Sequence, residues 1–585
     1  MAQRRLGSWT TFSAGLALAF AIGGGIPVRA ASAGPGADIP WRTHEAEAMR
    51  TDGLVLGPAY GPYEIAAAAS GERCVKLASA GQYVEFTVHS PANALVVRYC
   101  LPDAPRGGGT LSDLALEVNG RRVRTLTLDS HYTWLYGNYP FSNDPAQGKP
   151  RDFFDEARVA GLGLKSGDVV RLQWLGGTSS WCILDLVDRE QVAPPLPEPA
   201  KALSIMAYGA GGRGATDDTA ALRACIAAAA RSGGTVWVPA GTYRITGDIA
   251  VPSNVTIQGA GMWYTTFEGD PALYGHADRR VRFRVSGSHI TLSDFSILGR
   301  LDYRNDSEPN DGVLIGGCSD SVFRRLWIEH TKVGIWVYNG VNLRVEGCRF
   351  RDTIADGINL CVGTSGTVVE NCTARGTGDD CFAIWPSAAD QGFVGRGPKP
   401  GHNVFRRCTG ELPFLANGIG LYGGEANRVE DCRMVDITAG CGVLVSTTFP
   451  TSDARLGIDN NFSGETVISD CELVRCGGFD HDWAWRAALQ ICMDRRSISG
   501  LRIQRVSIDD SLSDGLSIVA PGASKGQGTL SDARLEHVTI GRCGLGNAQG
   551  RSLWIRNDAH GTLDIADSSV GTITNDSRDF MIRRD

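Results

Sequence analysis

The chain has 585 residues with 57 Lys and Arg against 64 Asp and Glu, a net charge of −7 without long runs of one sign. That length accommodates about two to four domains, and the lack of a basic excess or stripe excludes an ordinary nucleic-acid binder. Hydrophobic residues at 43% and charged residues at 21% exclude wholesale disorder, while 74 glycines against 25 prolines point to many tight turns.

Arg4 and Arg5 precede an apolar run over 12–22, followed by small residues and cleavage-like triplets that end at Ala30 and Ala33. This layout reads as a secretory signal peptide over 1–33. The run is too short for a spanning helix of about 20 residues, although an uncleaved anchor is the alternative. The arginine pair hints at twin-arginine export, which the following residues fit poorly. The mature chain is expected to be secreted or periplasmic, with no membrane insertion.

Residues 40–191 read as an all-β sandwich. Runs such as QYVEFTV at 82–88 and LALEV at 114–118 alternate in polarity, and Asn119-Gly120 then supplies a hairpin turn. Only polar loops and further strands follow. Four prolines lie within 192–199, so 192–202 reads as a stiff linker.

From 203 to 585 the pattern changes. Asp217-Asp218-Thr219 precedes an Ala-rich stretch with the signature of a capped helix, and GGTVWVPAGTYRI at 233–245 predicts two short strands. One phrase then keeps returning, as SNVTIQGA, VNLRVEGCRFRD, GTVVENCTARG, NVFRRCTG and ANRVEDCRMVD. Each is followed by a second apolar strand such as DGINLCV, DDCFAIW or NGIGLYG. Short strands repeated at a fixed period define a solenoid. Cys348 and Cys372 are 24 residues apart, as are Cys408 and Cys432. A coil of that length with three short strands predicts a parallel β-helix. Insertions at 387–402 and 447–464 are expected to wall a groove.

Cys348, Cys372, Cys408, Cys432 and Cys471 hold one position in successive coils. Disulfides are the usual reading in a secreted protein, but regular stacking favours an inward ladder of free thiols packed as small hydrophobes. Pairing among Cys74, Cys100 and Cys182 stays open.

Three acids open the second strand of neighbouring coils: Asp356, then Asp379 and Asp380, with Asp380 one coil of 24 residues beyond Asp356. Adjacent parallel strands lie about 4.8 Å apart, so this arrangement stacks like charges at a cost in stability. Asn417 and Cys441 hold the equivalent place in the next two coils, and Glu425 is expected over the same face. Asp-Gly recurs at Asp311-Gly312, Asp356-Gly357 and Asp514-Gly515, so capping of turns or a structural Ca²⁺ is the bland reading. Only the Asp379-Asp380 turn doubles the acid beside another Asp. Close carboxylates are the equipment of glycoside hydrolysis, and their repulsion keeps one protonated near neutral pH.

The segment 206–245 resembles the opening of the polygalacturonase-like class of right-handed β-helix enzymes. Asp356-Gly357-Ile358 and Gly378-Asp379-Asp380-Cys381 resemble the NTDGI and GDDCxAI motifs of that class. The NTD motif is here Ile354-Ala355-Asp356, and the GHG motif has become Asn417-Gly418-Ile419-Gly420. Leu444-Val445-Ser446 stands where the RIK clamp grips a uronate carboxylate. This combination resembles the bacterial α-1,3-glucanase (mutanase, mycodextranase) family, whose β-helix carries DGIN and GDD one turn apart. The resemblance implies a right-handed parallel β-helix that cleaves a neutral α-glucan by inverting hydrolysis, with no catalytic cofactor, a polysaccharide partner and a monomeric state. Alternation along the strand offsets Asp379 from Asp356 and Asp380. Asp379 is therefore assigned as acid, and Asp356 and Asp380 as activators of water.

Trp385, Tyr422, Phe449, Trp483 and Trp485 lie near these strands and suit stacking on sugar faces, with core filling the alternative for each. Together with Asn417 and Glu425 they form the expected substrate-binding set. The N-terminal part resembles β-sandwich carbohydrate-binding modules at His44-Glu45-Ala46-Glu47 and Ile183-Leu184-Asp185-Leu186. That resemblance implies a structural Ca²⁺ on Glu45, Glu47 and Asp185, which could equally be solvated acids. Trp134, Tyr136 and Tyr139 share one loop, as a glycan platform or as packing for that loop. Two rival functions are a polygalacturonase or lyase acting on an acidic polysaccharide, and a non-catalytic β-helix adhesin or tailspike.

Overall fold

The computed structural model describes residues 34–584 apart from 398, 482, 523–527 and 548. The expected signal peptide, 1–33, lies outside the described residues. Among these, no helix is long and apolar enough to cross a membrane.

Two antiparallel sheets form the N-terminal part. One carries Leu54–Leu56, Cys74–Leu77, Cys182–Glu190, Ala92–Cys100 and Asp155–Leu164 in that order, with Trp41–Glu45 also paired to Cys182–Glu190. The other runs Arg50–Thr51, Tyr83–Thr87, Val169–Gly177, Leu111–Val118, Arg121–Asp129. Side chains alternate across a strand, so Val84, Phe86, Leu114, Leu116, Val170 and Leu172 meet Val75, Leu95, Val97, Leu184 and Val187 in one core.

Cys182–Glu190 breaks this alternation, because all nine residues are buried. Its inner face packs on the second sheet and its outer face lies against the following solenoid. Charged pairs make that seam. Glu190 receives both guanidinium arms of Arg349 at 2.9 Å. Arg375 reaches Glu156 at 2.6 Å and Asp188 at 2.7 Å, and Arg158 reaches Glu329 at 2.7 Å. His330 meets Asp155 at 2.9 Å. The sandwich is therefore clamped to the coil. Residues 192–202, expected as a stiff linker, also run along the coil, with Leu196 N–H on the Ala260 carbonyl and the Tyr264 hydroxyl on that of Ala193.

The rest is a parallel β-helix. Helix Thr219–Ala230 closes its first end, burying Ala221, Leu222, Cys225, Ile226 and Ala229. Asp217, one residue before the N-cap Asp218, accepts from the Thr219 amide at 3.0 Å. Each central coil has three short strands, as at Arg344–Glu346, Arg349–Arg351 and Ile358–Leu360. The first two belong to a 24-stranded sheet bent at a corner, and the third to a 12-stranded sheet. The third strand pairs Ile358 with Phe382, Phe382 with Ile419, and Ile419 with Val443.

The cysteine ladder sits at the corner, and all sixteen cysteines are free. Cys372, Cys408 and Cys432 point their thiols at the carbonyls of Val345, Val369 and Phe405 in the preceding coil, at 3.5–3.6 Å. Cys74, Cys100 and Cys182 are buried and unbridged as well.

The insertion at 387–402 folds as a small hairpin, Ala389–Asp390 with Phe393–Val394. The one at 447–464 does the same, Ser452–Asp453 with Ile458–Asp459. A third hairpin, Phe479–Asp480 with Ala484–Trp485, was not anticipated from the spacing. Nor was the loop 299–311, which separates Thr291–Leu298 from Gly312–Ser319.

Candidate active site

Asp356, Asp380, Asn417 and Cys441 each stand two residues ahead of paired positions in the third strand, so the register places them in one column. Asp379 adjoins that column. One carboxylate oxygen from each of Asp356, Asp379 and Asp380 lies within 4.8 Å of the other two, and the three residues line a cleft of about 230 Å³. Glycine permits this closeness. A Cβ on Gly378 would meet the Ile354 carbonyl at 2.2 Å, and one on Gly420 would meet an Asp380 oxygen at 2.2 Å.

The three acids differ in surroundings. Asp356 and Asp380 are buried, whereas the Asp379 side chain keeps 21% of its exposure. Asp380 accepts from Tyr422 Oη at 2.7 Å, Asn417 Nδ2 at 2.8 Å and the Asn417 amide at 3.1 Å. Asp356 accepts from Asn359 Nδ2 at 3.3 Å. Burial, with the adjacent Asp379, lifts the Asp380 carboxyl to about 7. Burial, then Asp379 and Asp380, holds Asp356 well above the usual carboxylate range. Two ionised carboxylates about 5 Å apart repel by about 3 kcal/mol at an effective dielectric of about 20, which is enough to keep a proton within the cluster near neutrality.

Arg304, from the unanticipated loop, faces this cluster. Its Nη2 donates to Asp379 at 2.6 Å and to Tyr139 Oη at 3.0 Å. Nη1 donates to the carbonyls of Gly378 at 2.6 Å and Ile354 at 3.4 Å, and Nε to Asp306 at 2.9 Å. A guanidinium has five N–H donors; here each has an acceptor. Two of these are the backbone carbonyls of the turns that carry Asp356 and Asp379. The other cation on the cleft wall is Lys332, whose Nζ donates to the Glu308 carbonyl at 2.7 Å.

Of the expected substrate contacts, Trp385, Tyr422 and Phe449 line the cleft. Tyr422 is nearly buried and its hydroxyl is engaged by Asp380, whereas Phe449 is 40% exposed. Asn417 is a correction: it lies behind Asp380, donating to it while its own oxygen accepts the Cys441 amide at 2.9 Å. Glu425 is another, for it sits at a coil corner bridged to Gly401 and Ser463, away from the cleft lining. Trp483 is 58% exposed and stacks on His481 at 4.4 Å, outside the cleft lining. Trp485 packs on Phe479 in the third hairpin. Leu444 stands beside Tyr422 in an apolar cluster.

Sequence reasoning missed Arg304 and misplaced Tyr139. The usable signal for Arg304 was the polar stretch LDYRNDSEPND interrupting the coil at 301–311. For Tyr139 there was none. Trp134 and Tyr136 turn inward, bonding the Leu101 carbonyl and Asp103, so the loop is no three-ring platform. Tyr139 alone leaves the sandwich and enters the cleft.

The anticipated calcium ligands lie together, with Glu45 and Asp185 both accepting from Ser70, at 3.1 and 2.9 Å. Asp185 is buried against Arg98 and also accepts the Ser70 amide, so its charge is already met. Glu45 and Glu47 each keep a buried carboxylate oxygen without a hydrogen-bond partner. Burial, with Asp185 and Glu47 nearby, lifts Glu45 to about 8. A larger cavity of about 400 Å³ lies beneath the linker, beside Trp41 and Trp263. Of its three acids, Asp294 and Glu190 are paired with Arg325 and Arg349, which leaves Asp38 without the second carboxylate that the smaller cleft has.

Comparison with known proteins follows the same division. Residues 38–192 match the family described as alpha-1,3-glucanase catalytic domain D1, and residues 217–564 match alpha-1,3-glucanase catalytic domain D2. The catalytic unit of a thermostable GH87 alpha-1,3-glucanase from Streptomyces thermodiastaticus strain HF3-3 is 30% identical, with a TM-score of 0.77, covering 94% of each chain. The Agl-KA catalytic domain shares the fold at a TM-score of 0.84 and 23% identity, covering 94% of this chain and 98% of that one. A GH87 alpha-1,3-glucanase catalytic domain solved with tetrasaccharides is 25% identical, with a TM-score of 0.77 and coverage of 94% and 99%. Mannuronan C5-epimerase AlgE5 of Azotobacter vinelandii is 45% identical over 125 residues, 19% of this chain and 12% of that protein. The chain spans well under two thirds of the curated relatives it matches, 7% of mannuronan C5-epimerase AlgE3 of the same organism.

Proposed function

The chain belongs to the alpha-1,3-glucanase family and is a glycoside hydrolase, and we propose that it is secreted and cleaves the α-1,3 bonds of a neutral α-glucan with inversion. The observation that carries the catalytic part is the cluster of three carboxylates on the wall of one cleft, with every N–H of Arg304 on a protein acceptor and Lys332 bonded to the Glu308 carbonyl. An acidic sugar would need a free cation opposite each carboxylate. Leu444 is apolar where such a clamp would stand.

In the reactive state the proton that the cluster retains sits on Asp379, the exposed member, with the base among Asp356 and Asp380 ionised. Asp379 reaches the glycosidic oxygen and donates that proton as the C–O bond breaks. Arg304 then faces the carboxylate that remains. Asp380, held in one orientation by three donors, and Asp356 bind water on the opposite side of the sugar ring; one of them takes its proton as the oxygen attacks the anomeric carbon. Tyr422 and Asn417 hold the Asp380 carboxylate in place for this step.

A structural calcium ion in the N-terminal domain belongs to the same proposal. The unpartnered oxygens of Glu45 and Glu47 fit a hard cation, while Asp185 stays with Arg98. The ion would neutralise two buried carboxylates and take no part in the hydrolysis.

Digestion of insoluble α-1,3-glucan followed by NMR tests the reading. Soluble oligosaccharides whose new reducing ends are first β are expected. Release of sugars from polygalacturonate with none from any α-glucan overturns the substrate. First-formed α-anomers make one aspartate a covalent nucleophile, as in retaining enzymes, whose carboxyls lie about 5 Å apart against about 6.5–9.5 Å in most inverting ones.

A further inference from the structure

Tyr139 is 43% exposed, yet its hydroxyl is fully used. It accepts from Arg304 Nη2 at 3.0 Å and donates to Asp306, which also receives Arg304 Nε at 2.9 Å. The guanidinium lies 4.7 Å from the ring centroid, within the range of a cation–π contact. On the far side, His481 meets the ring edge at 5.3 Å. Asp306 and Tyr139 thus brace Arg304 from outside, and Arg304 braces Asp379 within.

The loop that delivers Tyr139 is locked to the loop that delivers Arg304. His131 lies 3.1 Å from Asp302 and Asn143 donates to the same carboxylate at 3.3 Å. Phe141 is buried in the hydrophobic core of the coil. Such a lock, added to the buried charge pairs of the seam, holds one side chain of the sandwich in fixed register with the turns of the coil.

We propose that Tyr139, supplied by the N-terminal domain, is a positioning residue of the catalytic centre: it orients Arg304, and through it Asp379, for proton donation. The two domains make one active site. The N-terminal domain would then act on turnover, where a tethered carbohydrate-binding module acts on capture of the polysaccharide. This rests on the hydrolase reading of the aspartate cluster.

The test is Tyr139→Phe, which keeps the ring over the guanidinium and removes both hydroxyl bonds, measured on whichever glucan of a panel the wild type degrades. A kcat about tenfold lower with KM changed less than about twofold is expected, because misplacing a catalytic group costs turnover more than binding. The melting temperature is expected to stay unchanged, the side chain being half exposed. A double-mutant cycle supplies the decisive readout. In the residual activity of Asp379→Asn, Tyr139→Phe is expected to cost nothing further.

An unchanged kcat in Tyr139→Phe overturns the proposal. So does an equal loss with Asp379 or Asn at position 379, which would make Tyr139 independent of the acid. A rise in KM alone makes it a sugar contact instead, and overturns positioning as well. Hydrolysis of a glucan with another linkage overturns the substrate reading and leaves the cycle fully measurable. A wild type inactive on the whole panel overturns both.

Discussion

Asp356 and Asp380 occupy the same place in two successive coils, each two residues before a directly paired strand position, Ile358 and Phe382. Both are buried, and among the described residues no cation is bonded to either. The fold holds them together at the expense of its own stability.

That strain has a sign. The Asp380 carboxyl lies near 7 in the folded chain, against about 3.9 when unfolded, so folding favours its protonated form. Its contribution to stability is complete below the ordinary carboxyl range and is lost as pH rises through about 7. Asp380→Asn, which cannot ionise, is therefore expected to raise the melting temperature at pH 8 by at least about 2 °C and to raise it less at pH 4. Calorimetry at both values checks this. An equal shift at both sinks the assignment.

Replacing any one of the three acids by Asn is expected to lower kcat at least ~10²-fold with folding intact, the scale of acid–base groups. Asn417→Ala removes a side-chain donor from Asp380 and is expected to cost about tenfold by misplacing it. Near-wild-type rates for Asp356→Asn, Asp379→Asn or Asp380→Asn would reduce that residue to a turn cap.

The seam between the domains yields a third expectation. Arg375→Met leaves Glu156 and Asp188 buried beside it without that guanidinium, and breaking a buried pair from one side costs about 3–5 kcal/mol. Denaturant titration is expected to show that loss in a single cooperative transition. Two separated transitions in the wild type would mean that the sandwich and the coil are energetically independent.

Chelation provides the last one. With a cation between Glu45 and Glu47, EDTA is expected to lower the melting temperature, and added Ca²⁺ to restore it. Turnover per folded molecule at 25 °C should not change, because the ion lies outside the catalytic cleft. No shift on chelation would leave the two glutamates as a strained but metal-free pair.

The solenoid was legible because its signal is local and repeated. A 24-residue spacing of cysteines and a strand phrase restated coil after coil need no partner elsewhere in the chain, and pairing in register then follows from period alone. The same periodicity aligns Asp356, Asp380, Asn417 and Cys441. What a sequence with one period cannot express is contact between two unlike domains. Arg304 lies 75 residues from Asp379, and Tyr139 lies 165 from Arg304, in a different fold. Nor did polarity disclose the seam, because Asp188, Glu190, Arg349 and Arg375 read as solvated surface until each supplies the charge that lets the other be buried. Composition and period determined the β-helix and the column of acids. Only the tertiary structure decided which arginine faces them, and which domain holds that arginine in place, since both depend on loops that meet through folding.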